Sequence, residues 1–236
     1  MIRPKCYSCM RPESFCLCQY IDSIDTNTHF VILMHPLEYK KEKNGTGRLA
    51  HLQLKNSQII MGIDFTNDSS VNKILNDKDN ECFILYPSLD SINLSQDMGS
   101  LQKLTSHNKR RVLLIIDGTW PCAKKMLKLS LNLHDIPSIS FDHKEISQFT
   151  IKQQPLPECL STLESIKILL ELMNSHKLEE CNTENFLLPF KKMVELQLKC
   201  IESPPPGSYR ILKEGSQPKL KDKYKTKSKR SLLFKK

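Results

Sequence analysis

Five short apolar runs, none of which alternates with polar residues, constrain the fold of this 236-residue chain more than any other feature. Strands that are buried on both faces of a sheet have this pattern. Segments with helical spacing lie between the runs, and strand followed by helix, repeated, predicts a parallel sheet with helices on both faces. The predicted strands are residues 30–34, 58–63, 82–86, 112–116 and 138–141, and the predicted helices between them are residues 46–55, 100–106 and 119–132.

The C-terminal part of the chain is predicted to be helical. Apolar residues recur at spacings of three and four over residues 160–173, and residues 186–201 form a second amphipathic segment. Ser161 and Glu164 match a capping box at the start of the first of these helices. Residues 64–81, rich in Asn, Asp and Ser, predict a surface excursion with at most one short helix.

The net charge of +9 is concentrated at the C-terminus, where residues 213–236 hold 10 Lys or Arg and 2 Asp or Glu. This composition predicts a disordered basic tail that attracts polyanions such as nucleic acid, or, as the alternative, a tail that only adds solubility. We therefore divide the chain into a cysteine-rich head (residues 1–27), a body (residues 28–212) and a basic tail (residues 213–236).

The apolar runs are far shorter than the roughly 18 residues that a membrane span requires, so no membrane association is expected. The first residues also lack the apolar segment of a secretory signal. A reducing compartment, by default the cytoplasm, is therefore expected. The basic run at residues 225–230 leaves a nuclear address as the alternative.

The head contains Cys6, Cys9, Cys16 and Cys18 in a C-x2-C-x6-C-x-C pattern. Four thiolates this close can converge on one tetrahedral ion, and sulfur ligands favour zinc over magnesium or calcium. Because four ligands close the coordination sphere, such a zinc would be structural. A set of free thiols is the alternative, since C-x-C is tighter than the usual second pair of a zinc site.

Polar residues follow the fourth apolar run directly, in the sequence Asp117-Gly118-Thr119-Trp120. The carboxyl ends of strands line the ligand crevice of an open parallel sheet, so Asp117 is expected to face a substrate. Gly118 permits a sharp turn, and Thr119 can cap the next helix. The alternative is that Asp117 is itself a helix cap and that Trp120 is a core residue.

The first apolar run is followed in the same way by residues 35–38 (HPLE), and residues 45–50 (GTGRLA) open the next helix. The second segment formally matches G-x-G-x-x-A, but in a dinucleotide-binding fold the glycines follow the strand at once, which they do not do here. The helix start and Arg48 can still receive an anionic group. His35 taken alone is more readily explained as a hydrogen-bonded histidine at a loop end than as a catalytic residue.

Three lysines follow Trp120 on the predicted helix: Lys124, Lys125 and Lys128. Lys124 and Lys128 are four residues apart and share a helix face. With Arg48, Lys152 and the tail they can form a track for an RNA backbone, or, as the alternative, an ordinary solvated surface.

Taken together, these segments resemble the DTW-domain family, the tRNA-uridine aminocarboxypropyltransferases, over about residues 6–200. Two positions depart from the family pattern: Gly45 stands where Asn is common, and Lys152 stands where Arg is usual, which keeps the charge but loses the planar fork of a guanidinium. The matching pieces, in chain order, are the cysteine head with Arg11-Pro12, HPxE at residues 35–38, T-x-R-L-A at residues 46–50, Tyr86-Pro87, D-x-T-W at residues 117–120 with Ala123, and S-T-x-E at residues 161–164.

The resemblance implies a SPOUT-like α/β fold, in which the C-terminal part of the parallel sheet is tied into a deep knot, with a small zinc knuckle at the N-terminus. It also implies a reaction: transfer of the 3-amino-3-carboxypropyl group from S-adenosylmethionine to N3 of a uridine in tRNA, with release of methylthioadenosine. S-adenosylmethionine is then the co-substrate and tRNA the partner.

The resemblance further implies which residues act. Asp117, Thr119 and Trp120 are the expected catalytic residues, with Asp117 accepting the N3 proton or orienting the base. The residues expected to bind S-adenosylmethionine are His35, Pro36, Glu38, Thr46, Tyr86, Pro87, Gly118, Ser161, Thr162 and Glu164. Arg48, Lys124, Lys125, Lys128 and Lys152 are expected to bind RNA, and Cys6, Cys9, Cys16 and Cys18 to bind the metal.

Three alternatives remain open from the sequence. The same transfer on ribosomal RNA, or methyl transfer to RNA by a SPOUT relative, would use a similar site. A zinc-dependent RNA-binding adaptor without catalysis would explain the head and the tail, but not the polar residues at the strand ends.

Overall fold

The computed structural model describes residues 4–41, 44–96, 99, 108–152 and 159–203. Its centre is a six-stranded sheet in the order β2-β1-β5-β3-β6-β4, and every strand pair is parallel. The strands are β1 (His29–Met34), β2 (Ser57–Met61), β3 (Asn80–Leu85), β4 (Ile92–Asn93), β5 (Arg110–Asp117) and β6 (Ser138–Ser140). The described α-helices are α1 (Pro36–Lys41), α2 (Thr46–Gln53), α3 (Ser69–Leu75), α4 (Trp120–Leu129), α5 (Thr162–Ser175) and α6 (Leu188–Glu202).

The predicted α/β class with a parallel sheet is confirmed, and each of the five predicted strands is present within a few residues of its expected bounds. Two elements were not predicted: β4, which has two residues, and α1, which begins at Pro36. The predicted helix at residues 100–106 and the basic tail at residues 213–236 lie outside the described residues. The division into three zones remains a prediction.

Two apolar layers cover the two faces of the sheet. Along β5, Leu113 and Ile115 belong to the layer that α2, α5 and α6 complete, whereas Val112 and Leu114 belong to the layer beneath α3 and α4. The alternation follows from the two-residue period of a strand. Both sets are buried, and each such side chain stabilises the fold by roughly 1.5–3 kcal/mol. A strand apolar at every position is therefore what this architecture requires.

A buried carboxylate, Glu179, fastens the amino-terminal edge of the sheet. It accepts hydrogen bonds from the backbone N–H groups of Asn27 (2.8 Å) and Thr28 (2.7 Å) and from the Thr28 hydroxyl. The Arg111 guanidinium lies 3.7 Å away and also donates to the Leu178 carbonyl oxygen. These bonds join the start of β1 to β5 and to the segment after α5, so Glu179 stabilises the fold at the edge opposite Asp117.

The cysteine-rich head is packed against the body. Leu17 and Ile24 are both buried in the layer that contains α2, α5 and α6. The Ile24 N–H donates to the Gln53 carbonyl oxygen at 2.7 Å, and the Lys55 N–H donates back to Ile24. Within the described ranges, no helix is both long and apolar enough to cross a membrane.

Candidate active site

The carboxyl-terminal edge of the sheet brings the ends of β1 and β5 side by side. Met34 pairs with Asp117 in register, and the His35 N–H donates to the Asp117 carbonyl oxygen at 2.8 Å. Asp117 has the same parity as Leu113 and Ile115, so its side chain points to the face covered by α2 and α5. The structure therefore brings the two predicted polar segments, residues 35–38 and 117–120, together.

The Asp117 carboxylate is buried among polar groups. Only 4% of the residue is exposed, and the Thr162 hydroxyl at the start of α5 donates to its Oδ1 at 2.6 Å. The start of α2 lies against it so closely that a Cβ atom on Gly47 would be 2.5 Å from both Cγ and Oδ2. Oδ2 has no hydrogen-bond partner among the described residues. A buried acceptor without a partner is uncommon, which marks it as a candidate ligand-binding or catalytic atom.

Burial raises the pKa of Asp117 to about 6. The nearby Glu38 carboxylate raises the pKa further, whereas the hydrogen bond from Thr162 and the charge of Lys152 lower it. A carboxyl group with a pKa near 6 is ionised at pH 7 and yet basic enough to accept a proton, which is the property of a general base.

Glu38 and Lys152 form an ion pair at the edge of this site. Lys152 Nζ lies 3.3 Å from Glu38 Oε1 and 3.4 Å from Oε2, and the Glu38 side chain is 9% exposed. Lysine here reaches both carboxylate oxygens with a single ammonium group, so the charge pairing expected of an arginine is kept. The pair places one negative and one positive charge near Asp117, and these charges act on its pKa in opposite directions.

Glu164 is also predicted to bind S-adenosylmethionine, but its carboxylate already accepts hydrogen bonds from other residues of the chain. Its carboxylate accepts from the Ser161 N–H, the Ser147 hydroxyl and the Gln148 N–H, each at 2.8 Å. Ser161 completes a capping box by accepting from the Glu164 N–H. Glu164 and Ser161 therefore hold the loop after β6 against the start of α5 and position Thr162.

The remaining predicted catalytic residues begin α4. Thr119 is its N-cap residue and is exposed, and its side chain makes no capping hydrogen bond among the described residues. Trp120 is partly exposed, and Gly118 is packed so that a Cβ atom there would lie 3.5 Å from the Cβ atom of His35. His35 is buried and accepts from the Leu37 N–H through Nδ1 at 3.2 Å. All four residues line the same edge of the sheet as Asp117.

Other predicted residues lie elsewhere. Tyr86 packs with the layer beneath α4, so its side chain is on the opposite face of the sheet from the Asp117 side chain, and Pro87 is exposed beyond it. Lys124 and Lys128 line a groove with Tyr86 on that face. Arg48 is held at the surface by α1, since its guanidinium lies 4.7 Å from the centre of the Tyr39 ring and donates to the Tyr39 carbonyl oxygen at 2.9 Å.

The four head cysteines converge on one point. Cys6 Sγ lies 3.5 Å from Cys18 Sγ, Cys9 Sγ lies 3.8 Å from Cys16 Sγ, and all four sulfur atoms are within 4.8 Å of one another. Sulfur atoms at about 2.3 Å from a tetrahedral zinc would be about 3.8 Å apart, so the spacing fits that ion. Backbone N–H groups of Cys9 and Ser8 lower the pKa of Cys6 to about 6, which favours its thiolate form, whereas burial raises the pKa of Cys18 to about 12.

An arginine joins this cluster to the edge of the active site. Arg11 is 5% exposed, and its guanidinium donates to the Phe15 carbonyl oxygen and to Asn44 Oδ1, both at 3.1 Å. Asn44 precedes α2 by two residues, and the start of α2 contacts Asp117 through Gly47. The cysteine cluster therefore supports the helix that forms one wall of the site.

Gly47 was missed as a site residue from the sequence. A glycine at the second position of a helix lowers helix stability, which is a signal that something packs closely against it. The contact itself joins residues 70 positions apart, so the sequence alone does not identify Asp117 as the neighbour.

A parallel α/β domain with a buried carboxylate at the carboxyl edge of its sheet, and with a four-cysteine cluster that could hold a metal ion, has the architecture of an α/β enzyme. The model of the DTW domain matches residues 3–198, and the chain belongs to that family.

Curated relatives agree with this membership. A mouse protein named tRNA-uridine aminocarboxypropyltransferase 2 is 28% identical over 98% of this chain and 76% of its own length. A Drosophila melanogaster protein of the same name is 32% identical over 73% of this chain and 68% of its own length. An Arabidopsis thaliana protein named tRNA-uridine aminocarboxypropyltransferase A is 26% identical, and the match covers 70% of each chain. No solved structure matches the chain significantly.

Proposed function

We propose that this enzyme transfers the 3-amino-3-carboxypropyl group of S-adenosylmethionine to N3 of a uridine in tRNA and releases methylthioadenosine. The chain is an enzyme of the tRNA-uridine aminocarboxypropyltransferase kind, as its family and the names of its relatives indicate. The structural observation that carries the proposal is the buried Asp117 carboxylate, with one oxygen bonded to Thr162 and the other without a partner among the described residues.

The residues around Asp117 fit a polar co-substrate. Gly47 lets the start of α2 approach the carboxylate closely, and the unpartnered Oδ2 offers an acceptor to a ligand. S-adenosylmethionine, when bound, supplies an alkyl carbon that its sulfonium already activates. The residues proposed to hold it are those that share this edge: His35, Pro36, Glu38, Thr46, Gly118 and Thr162. Their task is to orient that carbon toward N3 and to exclude water.

The proton of N3 needs an acceptor that the uridine can reach. Asp117 is buried, whereas Thr162, which is hydrogen-bonded to it, is partly exposed. We therefore assign the contact with the base to the Thr162 hydroxyl. Thr162 takes the N3 proton while its own proton moves along the 2.6 Å hydrogen bond to Asp117. The N3 electron pair then forms the new N–C bond, and the electrons of the broken C–S bond remain on sulfur, so the step balances without another reactant.

Turnover is expected to increase with pH and to level off above about pH 6, because Asp117 must be ionised to accept the proton and its pKa is about 6. The measurement is the single-turnover rate at saturating substrates between pH 5 and 8. Asp117→Asn provides the control, and its residual rate should show no inflection near pH 6. A wild-type rate that is constant from pH 5 to 8 would contradict the role of Asp117 as a base.

We also propose a SPOUT-like knot in the C-terminal part of the sheet. The parallel strands and the return of the chain from β6 to α5 beside Asp117 support it. The segment that would complete the knot includes residues 153–158, which lie outside the described residues.

The cysteine cluster is proposed to hold one structural zinc. Cys9→Ser is expected to lower the bound zinc from about one per chain to nearly none and to lower the unfolding temperature, because metal binding is coupled to folding. Metal analysis and thermal unfolding measure the two effects. Cys200→Ser on α6, outside the cluster, provides the matched control. A zinc content that Cys9→Ser leaves unchanged would exclude this site.

Mass spectrometry of tRNA nucleosides after incubation with labelled S-adenosylmethionine tests the proposed function. Modified uridine and released methylthioadenosine are the expected products. Release of S-adenosylhomocysteine would instead indicate methyl transfer, and modification of ribosomal RNA but not tRNA would change the assigned substrate. No product with either RNA, together with no binding of S-adenosylmethionine, would leave the RNA-binding adaptor as the explanation.

A further inference from the structure

A groove lies on the face of the sheet opposite the Asp117 side chain, between α4, the end of β3 and the start of β6. Its volume is about 460 Å³, which falls in the range of small-ligand sites. The floor is apolar and includes Ile84, Leu133 and Ile136. Lys124 and Lys128 rise from one wall, and in the described part of the chain no carboxylate lines the groove.

Two further groups equip this groove to hold a flat polar ring. Tyr86 is half-buried on its floor, and burial raises the pKa of the phenol, which stays a neutral donor at pH 7. His134 on the rim is fixed by a 2.8 Å hydrogen bond to the Leu127 carbonyl oxygen. A carbonyl only accepts, so Nε2 carries the proton there.

An apolar floor with an aromatic ring and two ammonium groups on one rim complements a nucleotide. A base can stack on Tyr86, and a phosphate can lie between Lys124 and Lys128, which are one helical turn apart on α4. The sulfonium of S-adenosylmethionine carries the same sign of charge as the lysines, so that ligand is a poorer match. The groove also cannot hold the reacting uridine, because the Asp117 and Thr162 side chains face the other side of the sheet.

We propose that this groove, lined by Tyr86, Lys124, Lys128 and His134, binds an unstacked nucleotide that flanks the target uridine in the RNA substrate. The proposal rests on the proposed function, since it takes RNA as the substrate. The proposal gives the three lysines of α4 different roles, because Lys124 and Lys128 line the groove, whereas the exposed Lys125 does not. The RNA then spans the carboxyl edge of the sheet, with one nucleotide on each face.

The test measures tRNA affinity as a function of KCl concentration for the double variant Lys124→Gln/Lys128→Gln. Each phosphate that is no longer neutralised reduces the slope of log K against log salt by about 0.7 to 0.9, so loss of the one phosphate between these lysines should lower the slope by about that amount. Lys125→Gln should change it much less, and Lys191→Gln on the exposed surface of α6 is the neutral control. Thermal unfolding of each variant confirms that the fold is retained.

Stacking is tested separately by Tyr86→Phe, which keeps the ring, and Tyr86→Leu, which removes it. We expect only Tyr86→Leu to weaken tRNA binding, by about 5- to 100-fold, as the loss of one stacked base does. Equal effects of Lys125→Gln and the double variant, or weaker binding of S-adenosylmethionine with unchanged tRNA affinity, would overturn the proposal. If the wild-type protein modifies tRNA in these assays, such a result rejects the groove and leaves the proposed function standing.

Discussion

Asp117→Asn is expected to reduce the single-turnover rate by roughly 10²- to 10⁴-fold, the usual contribution of a positioned proton acceptor. Asparagine keeps the shape of the side chain and can still accept the hydrogen bond from Thr162, which is 2.6 Å long in the wild type. It cannot accept a proton at neutral pH. The affinity for S-adenosylmethionine and tRNA should therefore change little, and the loss should appear in the rate of the chemical step.

The same substitution is expected to stabilise the protein at neutral pH. The pKa of Asp117 is about 6 in the folded chain against an ordinary value of 3.8, so the folded state binds the proton more tightly. Stability then decreases as the pH rises from about 4 to about 6, and the penalty is constant above that. A shift of this size corresponds to about 3 kcal/mol, which is the most that removing the charge can restore.

Chemical unfolding at pH 8 and at pH 4 measures this effect. The gain in the free energy of unfolding from Asp117→Asn should be present at pH 8 and mostly lost at pH 4, where the wild-type carboxyl group is protonated in the folded state and is close to its ordinary pKa of 3.8 in the unfolded chain. Glu164→Gln provides a contrasting variant, because that carboxylate has three hydrogen-bond donors and its substitution should be destabilising. Unchanged turnover of Asp117→Asn with normal substrate binding would exclude the base role.

The sequence predicted the sheet well because burial on both faces leaves a direct signal. A strand such as β5, which is apolar at five consecutive positions (residues 112–116), packs between two helical layers. β4 has no such signal, since it has two residues and depends on pairing with β6. α1 begins at Pro36, directly after His35, and the sequence analysis predicted no helix there, although Pro is favourable at the first position of a helix.

The sequence predicted which strand ends form the site, but not which side chains contact each other within it. Strand ends identified Asp117 and His35, because all carboxyl ends of a parallel sheet lie at one edge. Glu38 and Lys152 are 114 positions apart. The sequence analysis therefore assigned Glu38 to S-adenosylmethionine and Lys152 to RNA, and it did not predict that the two side chains pair. The hydrogen bonds from Ser147 and Gln148 to the Glu164 carboxylate could not be predicted either, because the loop that contains these two residues has no sequence pattern that indicates where it packs.

One assignment follows from strand parity once the register is known. Tyr86 directly follows β3 and has the same parity as Ile84, and both belong to the layer beneath α4. Tyr86 therefore lies on the opposite face of the sheet from the Asp117 side chain, although β3 and β5 are neighbouring strands. The register depends on hydrogen bonds between segments that are far apart in the chain, and the sequence does not show these bonds. The prediction that Tyr86 and Asp117 share one site could therefore not take the face of the sheet into account.

Gly47→Ala is expected to abolish most of the turnover and to destabilise the fold by about 1–3 kcal/mol, the usual cost of adding a methyl group to a packed interior. The new Cβ atom would lie 2.5 Å from Asp117 Cγ and Oδ2, so either the carboxylate or the start of α2 must move. A displaced carboxylate loses its bond to Thr162, and a displaced helix disturbs Asn44 and the bond from Arg11.

A double-mutant cycle with Asp117→Ala identifies which contact is responsible. Asp117→Ala removes the atoms that the new methyl group meets, so the double variant should be more stable than the sum of the two single effects indicates, by about 0.5–3 kcal/mol for residues in contact. Chemical unfolding of the four proteins measures the coupling. Additive effects would mean that Gly47 and Asp117 do not touch, and the geometry on which the proton path rests would then be wrong. Alanine in a helix is otherwise more favourable than glycine, so a loss of stability at Gly47 would point to the contact with Asp117, whose carboxylate supplies the three heavy atoms nearest to the new Cβ.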